Sequence, residues 1–487
     1  MKSLKNNISK FRILSKVCVA IILCLSSCKK FVEVDPPIQA ITGTEIYNSN
    51  SGAASVLTGI YASMVQGSFV QGISGISLRT GLSSDELTLD PSSNDQSLQN
   101  LYQNVSTYPT GSEFWPDLYA YIFRANDAIE SIQSSKGISD QVKKQLLGEA
   151  KVIRAFCYFY LVNLYGDVPL LESTNYKINS VAPRSNNVIV YQKIISDLLE
   201  AQELLNDEYV SADASTTTSE RVRPNKSVAT ALLARVYLYT KQWDKAETQA
   251  SSIIANSKYK LESLDQVFLS NSQEAIWALQ NRQTLDNLDG LLFNLLHSDN
   301  GPNPSQGRPV FLSSQLWKSF ESGDNRKIQW ADSISANGTT YPFVHKYKTD
   351  GNSVSITEYS MMFRLGEQYL IRAEARAQQG KITGANSATE DINLIRARAG
   401  LGNINANSQT AIINLIYKER QVELFTEGGH RWLDLKRTGE IENVMPTVSI
   451  SKGGTWASFK ALYAIPVADL KANPNLTGHQ NPGYPQQ

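Results

Sequence analysis

Hydrophobic side chains recur every three or four residues over most of the chain, the period of an amphipathic helix. In the segment SEFWPDLYAYIFRANDAIESIQ, the apolar residues that share one face are Trp115, Leu118, Ile122, Ala125 and Ile129. The same periodicity predicts a helix that starts near residue 142 and is stopped by Gly166 and Pro169, and another over residues 188–205. The chain is therefore predicted to be mainly helical.

Two later segments repeat one another. ARVYLYTKQWDKA (Ala234–Ala246) and AEARAQQGKITGA (Ala373–Ala385) both begin and end on small residues with a turn between. Small side chains let antiparallel helices approach closely, and breaks at Lys241-Gln242 and Gln379-Gly380 would reverse the chain. This layout matches that of a tetratricopeptide helix pair.

The segment LIYKERQVELFTEGGHRWLDLKR predicts a further helix. Glu419, Glu423 and Glu427 would share one stripe, where nearby opposite charges predict a solvated or ion-paired face, not catalytic carboxylates. Other charged residues in helical segments are predicted to form ion pairs or to cover apolar surface with their stems. They are Arg154, Arg372, Glu374, Arg396 and Arg398.

Residues 66–112 and 256–355 lack this periodicity and are rich in Ser, Asn, Gly, Asp and aromatic residues. They contain short strand-like pieces such as EAIWALQ and YPFVHKY. Their aromatic content argues against disorder, and loops of this length are usually functional. The predicted fold class is thus mainly α: tetratricopeptide-like helix pairs forming a scaffold, with an irregular loop-rich layer and a few short strands, in one folded body.

The first 28 residues resemble a bacterial lipoprotein signal. A basic lead without acidic residues precedes the apolar run Val17–Leu25, which at nine residues is too short to span a membrane. The run ends in Leu25-Ser26-Ser27-Cys28, which looks like a lipobox, so Cys28 is the predicted lipidation site. Acyl chains on Cys28 would anchor the mature protein to a membrane without spanning it.

Composition excludes several classes of function. After removal of the signal, 41 basic and 46 acidic residues remain, a net charge of −5 that does not resemble a nucleic-acid binder. Only Cys157 would remain as a thiol, and the histidines show no zinc-ligand spacing. No G-x-S-x-G, phosphate loop or H-E-x-x-H is present, so no enzymatic activity, metal or cofactor is predicted.

The irregular stretches also carry the side-chain types of a ligand-binding site. Aromatic rings offer large contact areas, and amides and carboxylates bind hydroxyl groups. The candidate ligand-binding residues are Asp95, Tyr102, Asn104 and Tyr108 in the first stretch and Trp330, Tyr341 and Phe343 in the second, with Trp330 the leading candidate. By contrast, Trp115 and Trp432 lie on helical stripes and are predicted to be core residues, and Trp317 is predicted to lie on a helix.

Taken in order, several segments resemble the SusD/RagB family of nutrient-uptake lipoproteins. They are CKKFVEVDPP, GLSSDEL, FWPDLYAYIFRANDAI, GEAKVIRAFCYFYLVNLYGDVPL, MFRLGEQYLIRAEARAQQGK, DINLIRARAGL, YKERQVELFTEGGHRWLDLKR and LYAIPVADLKANPNLTGHQNPGY. The resemblance implies a signal peptide (1–27), a tether (28–45), a SusD-like N-terminal module (46–255) and a SusD/RagB C-terminal module (256–487).

The resemblance also implies a function: an outer-membrane lipoprotein facing outside that captures oligosaccharides and delivers them to a SusC-like, TonB-dependent barrel. Two alternatives stay open. Relatives of the RagB type capture peptides, and tetratricopeptide-like helices could also serve as a protein-docking lid with no ligand contacts of their own.

Overall fold

The computed structural model describes residues 43–66, 69–105, 114–281 and 286–486. Cys28, Tyr108, the signal segment and most of the expected tether lie outside these ranges. Residues 47–487 form one compact unit. Of the other unit, which ends at Ile46, the structure describes one short helix, so residues 43–45 of the expected tether are helical.

The helices, in chain order, begin and end as follows. The first nine are α1 (Gly43–Ile46), α2 (Asn50–Gln66), α3 (Ile76–Ser83), α4 (Gln96–Tyr102), α5 (Phe114–Ser134), α6 (Asp140–Tyr165), α7 (Tyr176–Asn179), α8 (Asn187–Leu204) and α9 (Lys226–Tyr239). They are followed by α10 (Trp243–Ile254), α11 (Leu288–Phe293), α12 (Ser314–Ser319), α13 (Arg326–Gln329), α14 (Leu365–Gln378) and α15 (Ala388–Arg398). The last are α16 (Gln409–Glu423), α17 (His430–Thr438), α18 (Ile441–Ser451) and α19 (Val467–Ala472).

The long helices pack as a continuous series. Helix α5 packs on α6, α6 on α8, α8 on α9, α9 on α10, α10 on α14, and α14 on both α15 and α16. Both predicted helix-pair turns are confirmed: Lys241 and Gly380 have left-handed backbones that reverse the chain. The scaffold is therefore a stack of tetratricopeptide-like pairs, as the sequence predicts.

The central helices α6 and α9 are buried on nearly all sides, because neighbours cover them from several directions. Helix α6 ends where the sequence predicts, at Gly166, whose φ of 75° is accessible to glycine without a Cβ clash. Trp115 and Trp432 are core residues, 2% and 1% exposed, and Trp317 lies on α12, which confirms all three predictions.

The carboxylate stripe of α16 differs from the expectation in its solvation and its length. Glu419 and Glu423 are buried, and Glu427 lies beyond the last helical residue. Glu423 contacts Arg364 at 2.6 Å and Arg326 at 2.9 Å, and it also pairs with Arg398. Burial alone would raise the pKa of Glu423, but these guanidinium groups lower it below its ordinary value. The stripe is a buried ion-pair network, so the ion-paired reading is confirmed and the solvated one is wrong.

The other helical charges are paired, as predicted. Each forms an ion pair with a carboxylate or guanidinium on another segment: Arg154 with Asp197, Arg372 with Asp391, Glu374 with Arg437, Arg396 with Glu321, and Arg398 with Glu274. Because these partners lie up to about 120 residues apart, pairing fixes the helices relative to one another.

Strands are short and occur in antiparallel pairs. They are β1 (Leu87–Leu89), β2 (Val168–Pro169), β3 (Arg184–Ser185), β4 (Ala275–Leu279), β5 (Val310–Leu312), β6 (Ala331–Ala336), β7 (Thr339–Val344) and β8 (Ser360–Arg364). The pairs are β1 with β5, β2 with β3, β4 with β8, and β6 with β7. Strand β4 lies within the strand-like piece EAIWALQ, and β7 overlaps the first four residues of YPFVHKY. Among the described helices, none has the length and apolar character needed to cross a membrane.

Candidate functional site

Pairing of β1 with β5 brings the two irregular stretches together. Leu87 lies opposite Leu312 and Leu89 opposite Val310, and all four residues are buried. The ladder continues for one more hydrogen bond, from Asp90 N–H to the Pro309 carbonyl at 2.8 Å. The segment that leaves β1 and the segment that enters β5 therefore meet at one end of this ladder.

An open cleft of about 700 Å³ lies at that end. Its lining residues are Ile73, Ser92, Ser93, Asn94, Asp95, Leu98, Asp299, Pro302, Asn303, Pro304, Ser305, Gly307 and Pro309. The volume is within the range of small-molecule sites in proteins. Both irregular stretches contribute residues to this lining.

Asp95 is held rigidly at one wall of the cleft. It is the N-cap of α4, and its Oδ1 accepts hydrogen bonds from the N–H groups of Ser97 (2.9 Å) and Leu98 (3.1 Å). The residue is exposed, and its Oδ2 takes no part in the cap. This arrangement presents one carboxylate oxygen in a fixed position toward the cleft.

The opposite wall is a tight hairpin over residues 297–309. Asn303 and Arg308 exchange both backbone hydrogen bonds, at 2.7 and 2.9 Å, around a 3₁₀ turn and the left-handed Gly307. Arg308 Nη1 lies 3.3 Å from Asp299 Oδ2, which neutralises that carboxylate in part. The hairpin thus offers amide, hydroxyl and proline surfaces on a braced backbone.

A third wall carries Ile73, an apolar side chain that is 45% exposed. Its neighbour Gly72 donates its N–H to Asp289 Oδ1 at 2.7 Å, and Gln71 Oε1 accepts from Leu288 N–H and from the Ser360 hydroxyl. Burial raises the pKa of Asp289 to about 7. Helix α11 therefore holds this loop from beneath.

The cleft chemistry suits a neutral, hydroxyl-rich ligand. Serine hydroxyls, the amides of Asn94 and Asn303, and the Asp95 carboxylate offer donors and acceptors, while Ile73 and the prolines offer apolar contact. The positive charge of Arg308 compensates the carboxylate of Asp299. The carboxylate of Asp95 therefore gives the described lining a net negative charge. Such a lining repels anionic ligands.

The prediction that Trp330 presents a ring to a ligand is wrong. Its side chain is 0% exposed, and its Nε1 donates to the Leu264 carbonyl at 2.8 Å. Lys346, Arg364 and Arg398 lie 5.0–5.5 Å from its ring centroid, so the indole covers the buried ion-pair network. Its role is in the core.

The remaining candidate residues lie in different environments. Asp95 lines the cleft, and Tyr341 lies beside the hairpin, where a Cβ on Gly301 would sit 3.1 Å from its ring. Tyr102 is half-buried, packs over Lys452 and is not in the cleft lining, so its predicted role stays a prediction. Asn104 is buried and its amide donates to the Ser83 carbonyl, so it is structural.

Phe343 is likewise wrong as a binding residue, because it is 3% exposed in a small core cluster with Leu295 and Ile334. Tyr108 lies outside the described residues. Of the predicted ligand-binding residues, Asp95 therefore lines the candidate cleft and Tyr341 lies beside it.

Sequence reasoning missed the hairpin residues Asp299 and Asn303 and the run Ser92–Asn94. A signal for them existed in the turn-forming sequences HSDNGPNPSQGRP and DPSSND, which are dense in Asp, Asn, Gly and Pro. Within the described ranges, no cluster of three or more His, Cys, Asp or Glu side chains could hold a metal ion.

The described residues thus form a scaffold of helix pairs with a polar cleft on its irregular layer. Residues 30–238 match the family described as "Starch-binding associating with outer membrane", and residues 307–484 match the SusD family. Together these ranges cover most of the chain. The chain belongs to the SusD/RagB family.

Individual relatives agree with this assignment. SusD-like protein P25 of Formosa agariphila is 25% identical, over 96% of this chain and 98% of its own. Starch-binding protein SusD of Bacteroides thetaiotaomicron is 26% identical, over 72% of this chain and 75% of its own.

Solved structures share the fold. A laminarin binding SusD-like protein superposes with a TM-score of 0.73 at 23% identity, over 90% of this chain and 100% of its own. Surface glycan-binding protein A from Bacteroides uniformis gives 0.74 at 18% identity, over 89% and 99%.

Proposed function

We propose that this protein is a lipid-anchored outer-membrane receptor that captures a neutral glycan in the cleft and delivers it to a TonB-dependent barrel. The cleft at the end of the β1–β5 ladder carries the proposal, because its lining combines exposed polar groups with apolar surfaces on a braced backbone. The names of two relatives, one starch-binding and one laminarin binding, support a glucan as the ligand class. No bond is made or broken in this function.

Asp95 and the hairpin amides would bind vicinal hydroxyls, and Ile73 with the prolines would contact the C–H faces of the sugar rings. Charge–hydroxyl hydrogen bonds contribute about 1.5–3 kcal/mol each, so a few such contacts suffice for measurable binding of an oligosaccharide. The Asp95 charge disfavours uronates and sulfated glycans.

Anchoring at Cys28 would keep the protein in the membrane plane. A receptor confined beside its transporter rebinds at a high effective concentration, so weak ligand binding is enough for delivery. The binding step and the delivery step then need different surfaces of the same chain.

The test is calorimetry of the chain from Lys29 onward with neutral glucans, acidic polysaccharides and peptides. We expect binding of a neutral glucan, weakened about thirtyfold in the Asn94→Ala/Asn303→Ala variant, which loses two amide hydrogen bonds worth about 1 kcal/mol each. Asp140→Asn, an exposed change on α6 away from the cleft, is the matched control and should bind normally.

Other outcomes would redirect the proposal. Preference for peptides would assign the peptide-capturing alternative. A glucan signal that the cleft variant leaves unchanged would rule out this cleft. Silence from every ligand, with the fold intact, would favour the docking lid.

A further inference from the structure

Helix α11 holds one wall of the cleft through a buried carboxyl group. The wall is the segment of residues 69–76, which carries the exposed Ile73 at its tip and which we call the Ile73 loop. Gly72 N–H donates a hydrogen bond to Asp289 Oδ1 on α11 at 2.7 Å. The position of the apolar wall therefore depends on the side chain of Asp289.

The base of the Ile73 loop is fixed, and its tip rests on α11. Ile76 N–H donates to the Phe69 carbonyl at 2.8 Å, which closes the loop, and the Phe69 ring packs edge-on against Phe114 at 5.4 Å. At the tip, Gln71 Oε1 accepts a hydrogen bond from Leu288 N–H at 3.1 Å. The tip can therefore leave α11 by giving up its polar contacts, while the base stays in the core.

Asp289 is buried in surroundings that cannot solvate a charge. It is 7% exposed, and among the described residues it forms no ion pair. The cavity beside it has a volume of about 20 Å³, which accommodates about one water molecule, far fewer than surround a carboxylate in water. Burial raises the pKa of Asp289 to about 7, although the hydrogen bond from Gly72 N–H alone would lower it. That hydrogen bond therefore does not offset the cost of ionisation in place.

The other titratable side chains that line this cavity keep one charge state between about pH 5 and 7. Burial raises the pKa of Tyr160 and of Tyr347 above the ordinary value of 10, so both stay neutral. Burial alone would also raise the pKa of Glu427, but ion pairs with Arg364 and Lys346 lower it, so Glu427 stays ionised. Asp289 is thus the member of this lining that changes charge.

Further charged groups lie on the segments packed against α11. Burial lowers the pKa of His345 to about 4 and that of Lys346 to about 8. Asp286 and Glu358 accept hydrogen bonds from residues 348–349, which pack on the helix, and burial raises the pKa of Glu358. An experiment must therefore separate ionisation of Asp289 from that of Glu358.

We propose that Asp289 is a positioning residue of the cleft, which holds the Ile73 loop on α11 while it is neutral and releases the tip when it ionises. Release lets the carboxylate reach water and removes the apolar wall that Ile73 adds to the cleft. The loop movement needs no ligand, whereas its effect on glycan affinity rests on the proposed function. Affinity for the glycan should decrease as pH rises.

The release has a defined pH window. The pKa of Asp289 is about 7 with the loop on α11, and after release it should return to its ordinary value of 3.8. The closed loop therefore binds the proton more tightly, so release becomes easier as pH rises between these values and levels off above them. From about pH 4.5 to 6.5, the equilibrium constant for release should rise about fiftyfold.

Hydrogen exchange of the full chain, read by mass spectrometry and corrected for the intrinsic exchange rate, measures release without a ligand. We expect the opening constant of the Gly72 amide to rise about fiftyfold from about pH 4.5 to 6.5. It should stay constant in Asp289→Asn, which keeps an acceptor for that N–H. The exposed Asp207→Asn is the matched control and should respond as the unmodified chain does. The amide of Phe156, buried on α6, reports global unfolding and should open far less often.

Calorimetry with laminarin and soluble starch as neutral glucan probes gives the second readout. Between about pH 5 and 7.5, we expect the Kd of the unmodified chain to rise about threefold, because affinity scales with the fraction of closed loop, and that of Asp289→Asn to stay constant. Ile73→Ala covers the case in which Asp289→Asn fails to fold, since an exposed substitution leaves the fold intact. Its Kd should be raised at both pH values and should no longer depend on pH.

Several results would overturn the role of Asp289. They are exchange that does not vary with pH, an unchanged pH response in Asp289→Asn, which would assign it to another group such as Glu358, and equal opening of Gly72 and Phe156. A pH response in exchange without one in Kd would show that the wall does not contribute to binding, and it would overturn the role as well. If neither probe binds at any pH, the proposed function is contradicted instead, and the exchange result still decides whether Asp289 holds the loop.

Discussion

The ion-pair network beneath Trp330 and the candidate cleft use the same charged residue types in opposite ways. In the network, Glu423 forms ion pairs with three arginine side chains and is fully buried. In the cleft, Asp95 accepts local backbone hydrogen bonds through one oxygen and is exposed. Solvent exposure and the sequence separation of the partners, not residue type, therefore distinguish a structural carboxylate from one that is accessible to a ligand.

The largest effect is expected from Glu423→Gln. Loss of the charge leaves Arg326, Arg364 and Arg398 buried without their shared partner, which should cost about 3–5 kcal/mol in the free energy of unfolding. Urea denaturation measures it. Glu208→Gln, which removes a surface pair with Lys258 at 2.7 Å, is the matched control and should cost less than about 1 kcal/mol. Equal costs would remove the distinction between the two regions.

Asp289 is intermediate between the two regions, because it is buried beneath the cleft loop and forms no ion pair with any residue that the structure describes. The pKa of Asp289 in the folded state, about 7, exceeds its ordinary value of 3.8. The folded state therefore favours the protonated carboxyl, and the free energy of unfolding falls as pH rises between these two values. Asp289→Asn keeps an acceptor for Gly72 N–H and should stabilise the protein at pH 8 by about 2–4 kcal/mol.

The gain from Asp289→Asn should nearly vanish at about pH 3, where the carboxyl is largely protonated in both the folded and the unfolded state. Thermal unfolding at several pH values measures this, with the exposed Asp207→Asn as control. A gain that did not vary with pH would show that Asp289 does not titrate in this range.

The smallest effect on stability, and the clearest on binding, should come from Asp95. Serine is a good N-cap and alanine a poor one, so Asp95→Ala should lose about 1 kcal/mol more than Asp95→Ser. Both remove the carboxylate and should weaken glucan binding equally, about tenfold, which calorimetry measures. If Asp95→Ser bound glucan normally, the residue would be only a cap, and the cleft would resemble the network in using carboxylates for structure.

Much of the scaffold could be predicted because helix periodicity is local. The faces of α5 and α6, the stop at Gly166 and both helix-pair turns follow from neighbouring residues. The irregular layer could be located by its lack of period, but its arrangement depends on pairing between β1 and β5, which no local pattern specifies.

Trp330 shows why single binding residues were harder to predict. The polar sequence GDNRKIQ before it indicated an exposed loop, yet Asp324 and Arg326 are 3% and 0% exposed and pair with each other. Polar residues that satisfy one another inside the protein look, in sequence, like polar residues facing water. The exposed position of Asp95 could be predicted, because the turn that holds it is specified by neighbouring residues.

The β1–β5 ladder has a consequence for the order of assembly. Its strands are separated by 220 residues, so the contact between them has a high sequence separation and closes a long loop. During synthesis, the amino-terminal wall of the cleft would exist long before its partner strand arrives. Under the proposed function, a chain that ended before β5 would lack the cleft and could not bind a glycan there.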